Sequence, residues 1–524
     1  MALGTADTQR RFDDPVVVLG DRLKDGSIYK LLAEHGHEMF PDDYFADCYT
    51  NSPHGRPTVP ARILATAMVL QAFEGLSDRE ATDRLGFDLR WQAAAGVSIG
   101  AEPFHPTVLV GARNRLRASS RPRRLFEDTK VVAKAVGALG QRVRVLDSTP
   151  IYDAVATEDT VTQLRASIRK LLVSLDQADT SLAGDVRRAL LRDDDYATPG
   201  KPPCDWDDKP AREVLVDALV KDANQALDTI SDHQLEGSVA IAAELLALVA
   251  GQDVKEDANG VFHIVRGVAK DRVISTVDTE ARHGHKSRSR HFDGYKAHLA
   301  IDPDSELIAE IVATPANIHD QDAVTELLEQ EANEEQKPII LGDSAYASGP
   351  TRATLGGQGF TLMAKCPPIR NTTGGFTKER FEIDLEAANV TCPAGQIAKI
   401  QYREDGSGIA RFSKHCASCP LQSSCTRSPA GRSVAINQHE ALIQVARQEQ
   451  TSPEWLAIYR ANRPLVERKI AHLVRRNWGG RRARTRGLKR IATDLDSRAS
   501  AINWARLATL GLSFGPGGWT LAGA

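Results

Sequence analysis

Residues 142–147, Arg142-Val-Arg-Val-Leu-Asp147, alternate polar and apolar side chains with a period of two. Residues 337–343, Lys337-Pro-Ile-Ile-Leu-Gly-Asp343, form a continuous apolar run. The first pattern predicts a strand, and the second suits a central strand buried on both faces. Each ends on an aspartate, and strand ends are where α/β sheets place ligands and catalytic groups. A lone carboxylate there is more often a turn residue or helix cap, so the pair needs a third acid to become informative.

Working outward, strand patterns recur at Tyr295–Asp302 and Glu306–Thr314, separated by a Pro-Asp turn that suggests a hairpin, and at Phe360–Lys365. Between the two aspartates, from about Thr160 to Gly251, Leu164, Ile168, Leu171, Leu172 and Leu175 keep helical spacing, as do Leu215, Leu219, Ala226 and Ile230. Residues 151–250 hold 19 acidic and 10 basic side chains, a net of −9. Residues 1–125 read as helical. In the run Ala61–Phe73, Ile63, Leu64, Ala67 and Met68 share one face, and Ser77-Asp-Arg-Glu80 forms a capping box. Such short helices fit either a helix-turn-helix or a small dimerisation domain. Helices are expected again from about Pro453 to the end.

At 524 residues, and roughly 100–200 residues per domain, two to four domains are expected. No run of about 18 uncharged apolar residues exists, which excludes a transmembrane helix. The N-terminus lacks the apolar centre of a signal peptide, so a cytoplasmic protein is expected. Seven cysteines, four of them between Cys392 and Cys425, do not look like a disulfide framework. The formal charge of −3 argues against a wholly basic surface, but it averages over opposed regions. Gly356-Gly-Gln-Gly359 lacks a dinucleotide-binding frame, and no Walker or H-E-x-x-H motif is present.

Glu467 supplies the third acid. Pro464 fits the first position of a helix, which would put Glu467 in its first turn, four residues after Arg463. Glu467 is the only acid among residues 460–490, against twelve basic residues. Cys392, Cys416, Cys419 and Cys425, with Cys416-Ala-Ser-Cys419 as a C-x2-C pair, could surround a structural Zn²⁺ tetrahedrally. Further basic clusters suit DNA phosphates: Arg113–Arg124, with six basic residues and no acid, and residues 282–296, which include Arg282, Lys286, Arg288 and Lys296. Trp478, beside Arg481 and Arg482, could stack on an unpaired base.

The segments LDSTPIYDAVATEDT, HFDGYKAHLAID, ATPANIHD, LGDSAYAS and YRANRPLVERKIAHL resemble, in order, those of bacterial insertion-sequence DDE transposases. The resemblance extends over nearly the whole chain. It implies an α/β fold: a ribonuclease-H-like mixed sheet flanked by helices, with an N-terminal helical domain (1–125), an acidic helical insertion (156–262) and a small zinc-type insertion (386–430). The interrupted core would comprise 140–155, 263–385 and 450–515. The resemblance implies Asp147, Asp343 and Glu467 as catalytic ligands of Mg²⁺ or Mn²⁺. It also implies DNA contacts by Tyr459, Arg463 and Arg475. The family's Tyr-x-x-Arg-x-x-x-Glu-x6-Lys pattern is only partly kept: three residues separate Tyr459 from Arg463, and Val474 stands at the lysine position, next to Arg475.

The implied activity is metal-dependent cleavage at transposon ends followed by strand transfer into target DNA. The partners would be terminal inverted repeats and target DNA, with no membrane. The protein would act as a homodimer or larger assembly on DNA in the cytoplasm, associated with the bacterial nucleoid. A transposase-derived regulator without catalysis and a metal-dependent nuclease are the rival readings.

Overall fold

The computed structural model describes residues 3–4, 14–50, 58–140, 142–265, 267, 269–287, 289–371, 374–475 and 480–522. Its centre is a mixed sheet of six strands: β1 (Val143–Tyr152), β2 (Arg282–Ser287), β3 (Arg290–Ile301), β4 (Ile308–Pro315), β5 (Ile339–Gly342) and β6 (Thr361–Ala364). The order is β2-β3-β1-β5-β6, with β4 pairing along the second half of β3. β1 is antiparallel to β3 and parallel to β5, and β5 is parallel to β6. The expected hairpin is therefore β3–β4, and the expected apolar strand is β5.

Asp147 does not end its strand. β1 continues to Tyr152 because its antiparallel partner β3 continues, as far as Gly294 opposite Tyr152. Pro150 stands within this stretch, opposite Lys296. Gly294 is required at the far end: its φ is +131°, and a Cβ would lie 2.4 Å from the Ile151 carbonyl oxygen. What ends near Asp147 is the parallel pairing to β5, whose last aligned pair is Val145 with Leu341.

The N-terminal helices are α1 (Ile28–Met39), α2 (Ala61–Glu74), α3 (Asp78–Phe87), α4 (Leu89–Ala95), α5 (Thr107–Ala118) and α6 (Arg124–Ala135). The Ser77–Glu80 capping box forms as read, in both directions. The single apolar face read for α2 understates its burial. Residues all round this helix are buried, including Arg62, Thr66 and Gln71, because it is the centre of the cluster rather than a surface helix.

The inserted helices α7 (Thr160–Ala178), α8 (Thr180–Ala189), α9 (Lys209–Ile230) and α10 (Gly237–Gln252) form their own core through Leu164, Leu171, Leu219 and Leu246.

Two helices follow near the end: α11 (Pro453–Leu473) and α12 (Leu488–Thr509). Ser452 caps α11 and Pro453 stands in its first turn, so one helix runs straight through Pro464. Glu467 is therefore well inside α11, not in a first turn. Pro464 has no N–H, so the bond to the Arg460 carbonyl is missing there. Val466, Ile470 and Leu473 nonetheless bury the helix on the sheet, and each fully buried apolar side chain contributes about 1.5–3 kcal/mol.

One face of the sheet, with Val145, Leu299 and Leu341, is covered by α11 and α12. The other, with Leu146, Ala300 and Ile340, packs on Leu327, Tyr346 and Leu355. α12 joins the two halves of the molecule. Ile491, Leu495 and Ala499 face the sheet, while Ala501, Trp504 and Leu507 belong to the N-terminal core. Buried Asn503 adds to this join, donating to Thr129 Oγ1 and to the Ile308 carbonyl and accepting from the Ile308 N–H.

The cysteine segment folds as a separate antiparallel sheet: β7 (Glu382–Asp384), β8 (Asn389–Thr391), β9 (Ile397–Tyr402), β10 (Gly408–Arg411) and β11 (Ser433–Ile436).

Candidate active site

The register of β1 on β5 positions the two aspartates. Val145 is aligned with Leu341, so Asp147 and Asp343 each stand two residues further along adjacent parallel strands. Side chains two apart share a face. Both carboxylates thus emerge on the side of Val145 and Leu341, beneath α11. Asp343 immediately follows β5 and caps the short turn Ser344–Tyr346, its Oδ1 accepting from the Ala345 N–H at 2.8 Å.

Asp147 is largely buried. Its Oδ1 accepts from the Ser148 N–H at 2.8 Å, and its Oδ2 accepts from Arg463 Nη2 at 3.0 Å. Burial raises its carboxyl above the ordinary range, and Arg463 pulls against that rise. Arg463 also reaches Glu467, with Nη1 3.6 Å from Oε1, an ion pair but too long for a hydrogen bond. The Glu467 side chain is 70% exposed. One guanidinium on α11 therefore bridges the first and third acids, and Arg463 and Glu467, four residues apart, form an ion pair.

Tyr459 is nearly buried. Its hydroxyl donates to the Gly342 carbonyl at 3.2 Å, and its ring stacks on Trp455 at 4.8 Å. It fixes α11 against the residue before Asp343.

Behind Asp147, on the opposite face of the sheet, lies a polar layer that only the TPANIHD segment hinted at. The Ser148 hydroxyl donates to Asp320 Oδ2 at 2.8 Å. The Lys296 ammonium donates to Asp320 Oδ1 at 2.9 Å and to the Ile318 carbonyl at 2.8 Å. Burial would raise the Asp320 carboxyl, but Lys296, His298 and Ser148 together hold it below its ordinary range. His298, opposite Ser148 on β3, bonds Thr314 Oγ1 through Nε2, and burial pushes its imidazole down to about 4. The Tyr346 hydroxyl is buried without a hydrogen-bond partner among the described residues, and burial drives it well above its ordinary value.

The other basic positions are spread out. Arg282 Nη1 donates to the carbonyls of Thr279 and Ala281, and Lys286 is exposed on β2. Arg481 and Arg482 lie beside the end of β1, where the Tyr152 N–H donates to the Arg481 carbonyl at 2.6 Å. Arg475 is not brought to the aspartates; it lines a 630 Å³ cleft with Arg468, Lys469 and Glu306. Arg288 and Trp478 lie outside the described residues. The basic run Arg113–Arg124 is largely paired within the chain. Arg113 pairs with Asp78, Arg123 with Glu310 and Asp496, and buried Arg124 with Asp47.

Zinc at the cysteines is not supported. Cys392, Cys416, Cys419 and Cys425 do line one small pocket, of about 20 Å³, among Phe376, Phe381 and Phe412. Yet no three His, Cys, Asp or Glu side chains are gathered as a metal would need, among the described residues. The Cys416 sulfur accepts from the Arg432 N–H at 3.3 Å, and burial pushes the Cys425 thiol up.

The same absence applies to the three acids, which Arg463 links rather than a shared focus. Their chemistry still fits a hard divalent ion: oxygen donors, two of them matched in register, with a third on an exposed side chain able to turn. No described helix is long and apolar enough to cross a membrane.

Comparison with known families found two matches. The family described as Transposase DDE domain matches residues 391–508, which include Glu467 and the cysteine segment but neither aspartate. The family described as Transposase domain (DUF772) matches residues 17–115, the N-terminal helices. No curated protein and no solved structure matches the chain.

Proposed function

The chain belongs to the insertion-sequence DDE transposases, enzymes that cleave and transfer DNA with divalent metal ions, and from that premise we propose that Asp147, Asp343 and Glu467 are its catalytic carboxylates. The observation that carries this is the register. Two strands that are far apart in sequence bring Asp147 and Asp343 side by side, and α11 crosses over them bearing Glu467. The sheet order, with an antiparallel β1–β3–β4 meander followed by parallel β5 and β6, supports a ribonuclease-H-like core built from 140–155, 263–385 and 450–515. Residues 1–125, 156–262 and 386–430 are the proposed N-terminal, acidic and cysteine-bearing units.

Asp147, Asp343 and Glu467 would hold Mg²⁺, with Mn²⁺ as a substitute, and such ions activate the attacking oxygen and stabilise the leaving oxygen of a phosphodiester. Arg463 is already placed to give up its hold on Asp147 and Glu467 and take a phosphate oxygen instead. A guanidinium suits that exchange because its planar donors fit carboxylate and phosphate alike. Tyr459 sets the height of α11 over Asp343. Ser148, Asp320 and Lys296 fix the strand behind Asp147, so that its carboxylate does not move as charge builds up. Arg282, Lys286, Arg288, Arg475, Trp478, Arg481 and Arg482 are proposed as DNA contacts.

The reaction proposed is hydrolysis at a transposon end, followed by attack of the freed 3′-hydroxyl on target DNA, within a dimer or larger assembly. The test uses the full chain, Mg²⁺ and duplexes taken from the DNA that flanks its gene. Cleaved and joined products are expected. Binding without cleavage would favour a non-catalytic regulator, and cleavage without joining a nuclease.

A further inference from the structure

Most of the basic run in α5 and α6 is consumed inside the protein, but Arg117 is an exception. Arg117 lines two adjoining hollows, of 140 and 350 Å³, that together form a groove between α5 and the segment leading into α12. Arg490 lines both hollows as well. Seven cations and three carboxylates border the groove. Two of those carboxylates are engaged locally: Asp78 holds Arg113, and Asp494 holds Arg498. The third, Glu280, accepts from the Leu488 N–H. Arg117, Arg486, Lys489 and Arg490 have no carboxylate partner among the described residues.

Burial, then Arg490 and Arg113, push the Arg117 guanidinium below its ordinary value, so like charges are held close to one another there. Such crowding is unfavourable in the free protein and becomes favourable when an anion enters.

The groove is also fixed relative to the carboxylates. Residues 481–483 run beside Tyr152, with the Ala483 N–H donating to the Tyr152 carbonyl at 2.7 Å. Tyr152 is five residues along β1 from Asp147, or about 17 Å at the usual strand rise. That span equals about five base pairs of duplex at 3.4 Å each.

We propose that the groove bordered by Arg117, Arg486, Lys489 and Arg490 binds the sugar–phosphate backbone of duplex DNA, on the side of the cleavage site toward which β1 runs from Asp147 to Tyr152. The choice of occupant rests on the transposase reading above. The groove is composite: the N-terminal helices supply one wall and the end of the catalytic unit the other. A duplex seated in it touches both halves of the chain and fixes their shared DNA relative to Asp147. A small polyphosphate could satisfy the same cations, and the test below separates the two.

The test measures binding of a fluorescent 30-base-pair duplex, taken from DNA flanking the gene, across a salt series. Each phosphate contact adds about 0.9 to the slope of log affinity against log salt. The variant Arg117→Gln/Arg486→Gln/Lys489→Gln/Arg490→Gln is expected to lower that slope by about three to four and to weaken binding at least 100-fold at moderate salt. An unchanged slope would overturn the proposal. So would tripolyphosphate binding that is lost in the variant while the duplex slope stays as in wild type, which would mark a small-anion site. Should Arg117→Gln disturb α5, the triple variant without it reads the same effect less one contact. Metal-dependent cleavage of the same duplex by the wild-type chain is scored separately. Its absence with a lowered slope would sink the catalytic reading alone, and its presence with an unchanged slope would sink the groove alone.

Discussion

The carboxylate site and the cysteine pocket are both built from residue types that bind metals, yet the fold treats them in opposite ways. Asp147 and Asp343 are delivered to one edge by strand register, and Arg463 already neutralises part of the charge there. Glu467 is left exposed, with its carboxylate able to turn. The cysteines instead converge among phenylalanines around a small pocket, where Cys416 and Cys425 are buried in the local core and Cys392 packs against it. On the proposed reading the carboxylates cost stability to assemble and act through the ion they hold. The thiols contribute stability by filling space. Spacing along the chain does not separate these cases, whereas the local dielectric and the neighbouring charges do.

That contrast makes four expectations, the largest first. Asp147→Asn or Asp343→Asn should lower DNA cleavage at least about 1,000-fold, or about 4 kcal/mol in the barrier, with the duplex still bound. Gel-based cleavage and binding assays on the same samples check this, and retained cleavage would break the assignment.

Lys296→Met should destabilise the fold by about 3–5 kcal/mol, since it leaves the Asp320 carboxylate buried without its cation. Urea unfolding reads that loss. A smaller loss would mean the layer behind Asp147 is not a rigid support.

Cys416→Ser or Cys425→Ser should cost about 1–3 kcal/mol in the same unfolding experiment, from a hydroxyl placed in an apolar pocket. Cleavage per folded molecule should be unchanged. Chelation by phenanthroline should likewise leave the melting temperature alone; a drop of several degrees would show that a metal holds the thiols after all.

Glu467→Gln should be the mildest for the fold, within about 0.5 kcal/mol, because the side chain is exposed, while cleavage is still lost. A large change in stability would contradict its placement on the exposed side of α11.

Much of this was legible in the residues, and the misreadings have physical causes. RVRVLD and KPIILGD were correctly strands because periodicity and apolar content are local. The local pattern stops short of the end of β1 because Ser148–Tyr152 is held by β3, about 150 residues on, and no local signal reports that partner. Pro464 read as a helix start because proline favours a first turn. The true start was Ser452-Pro453, and the buried Val466, Ile470 and Leu473 hold α11 through the proline. The run Arg113–Arg124 read as a DNA surface. Arg113, Arg121, Arg123 and Arg124 are answered by acids of the same chain, among them Glu310 and Asp496 far away in sequence, which leaves Arg117 to the groove. The acids themselves were readable as a set only through the order of five motifs, since each one alone resembled an ordinary cap or surface pair.

The most direct test of the central claim is Mn²⁺ binding to the full-length chain, followed by electron paramagnetic resonance. Wild-type protein should bind the ion, and Asp147→Asn/Asp343→Asn should lose at least about 100-fold in affinity while Cys392→Ser/Cys419→Ser binds as wild type does. Equal Mn²⁺ binding by wild type and the double aspartate variant would contradict the account.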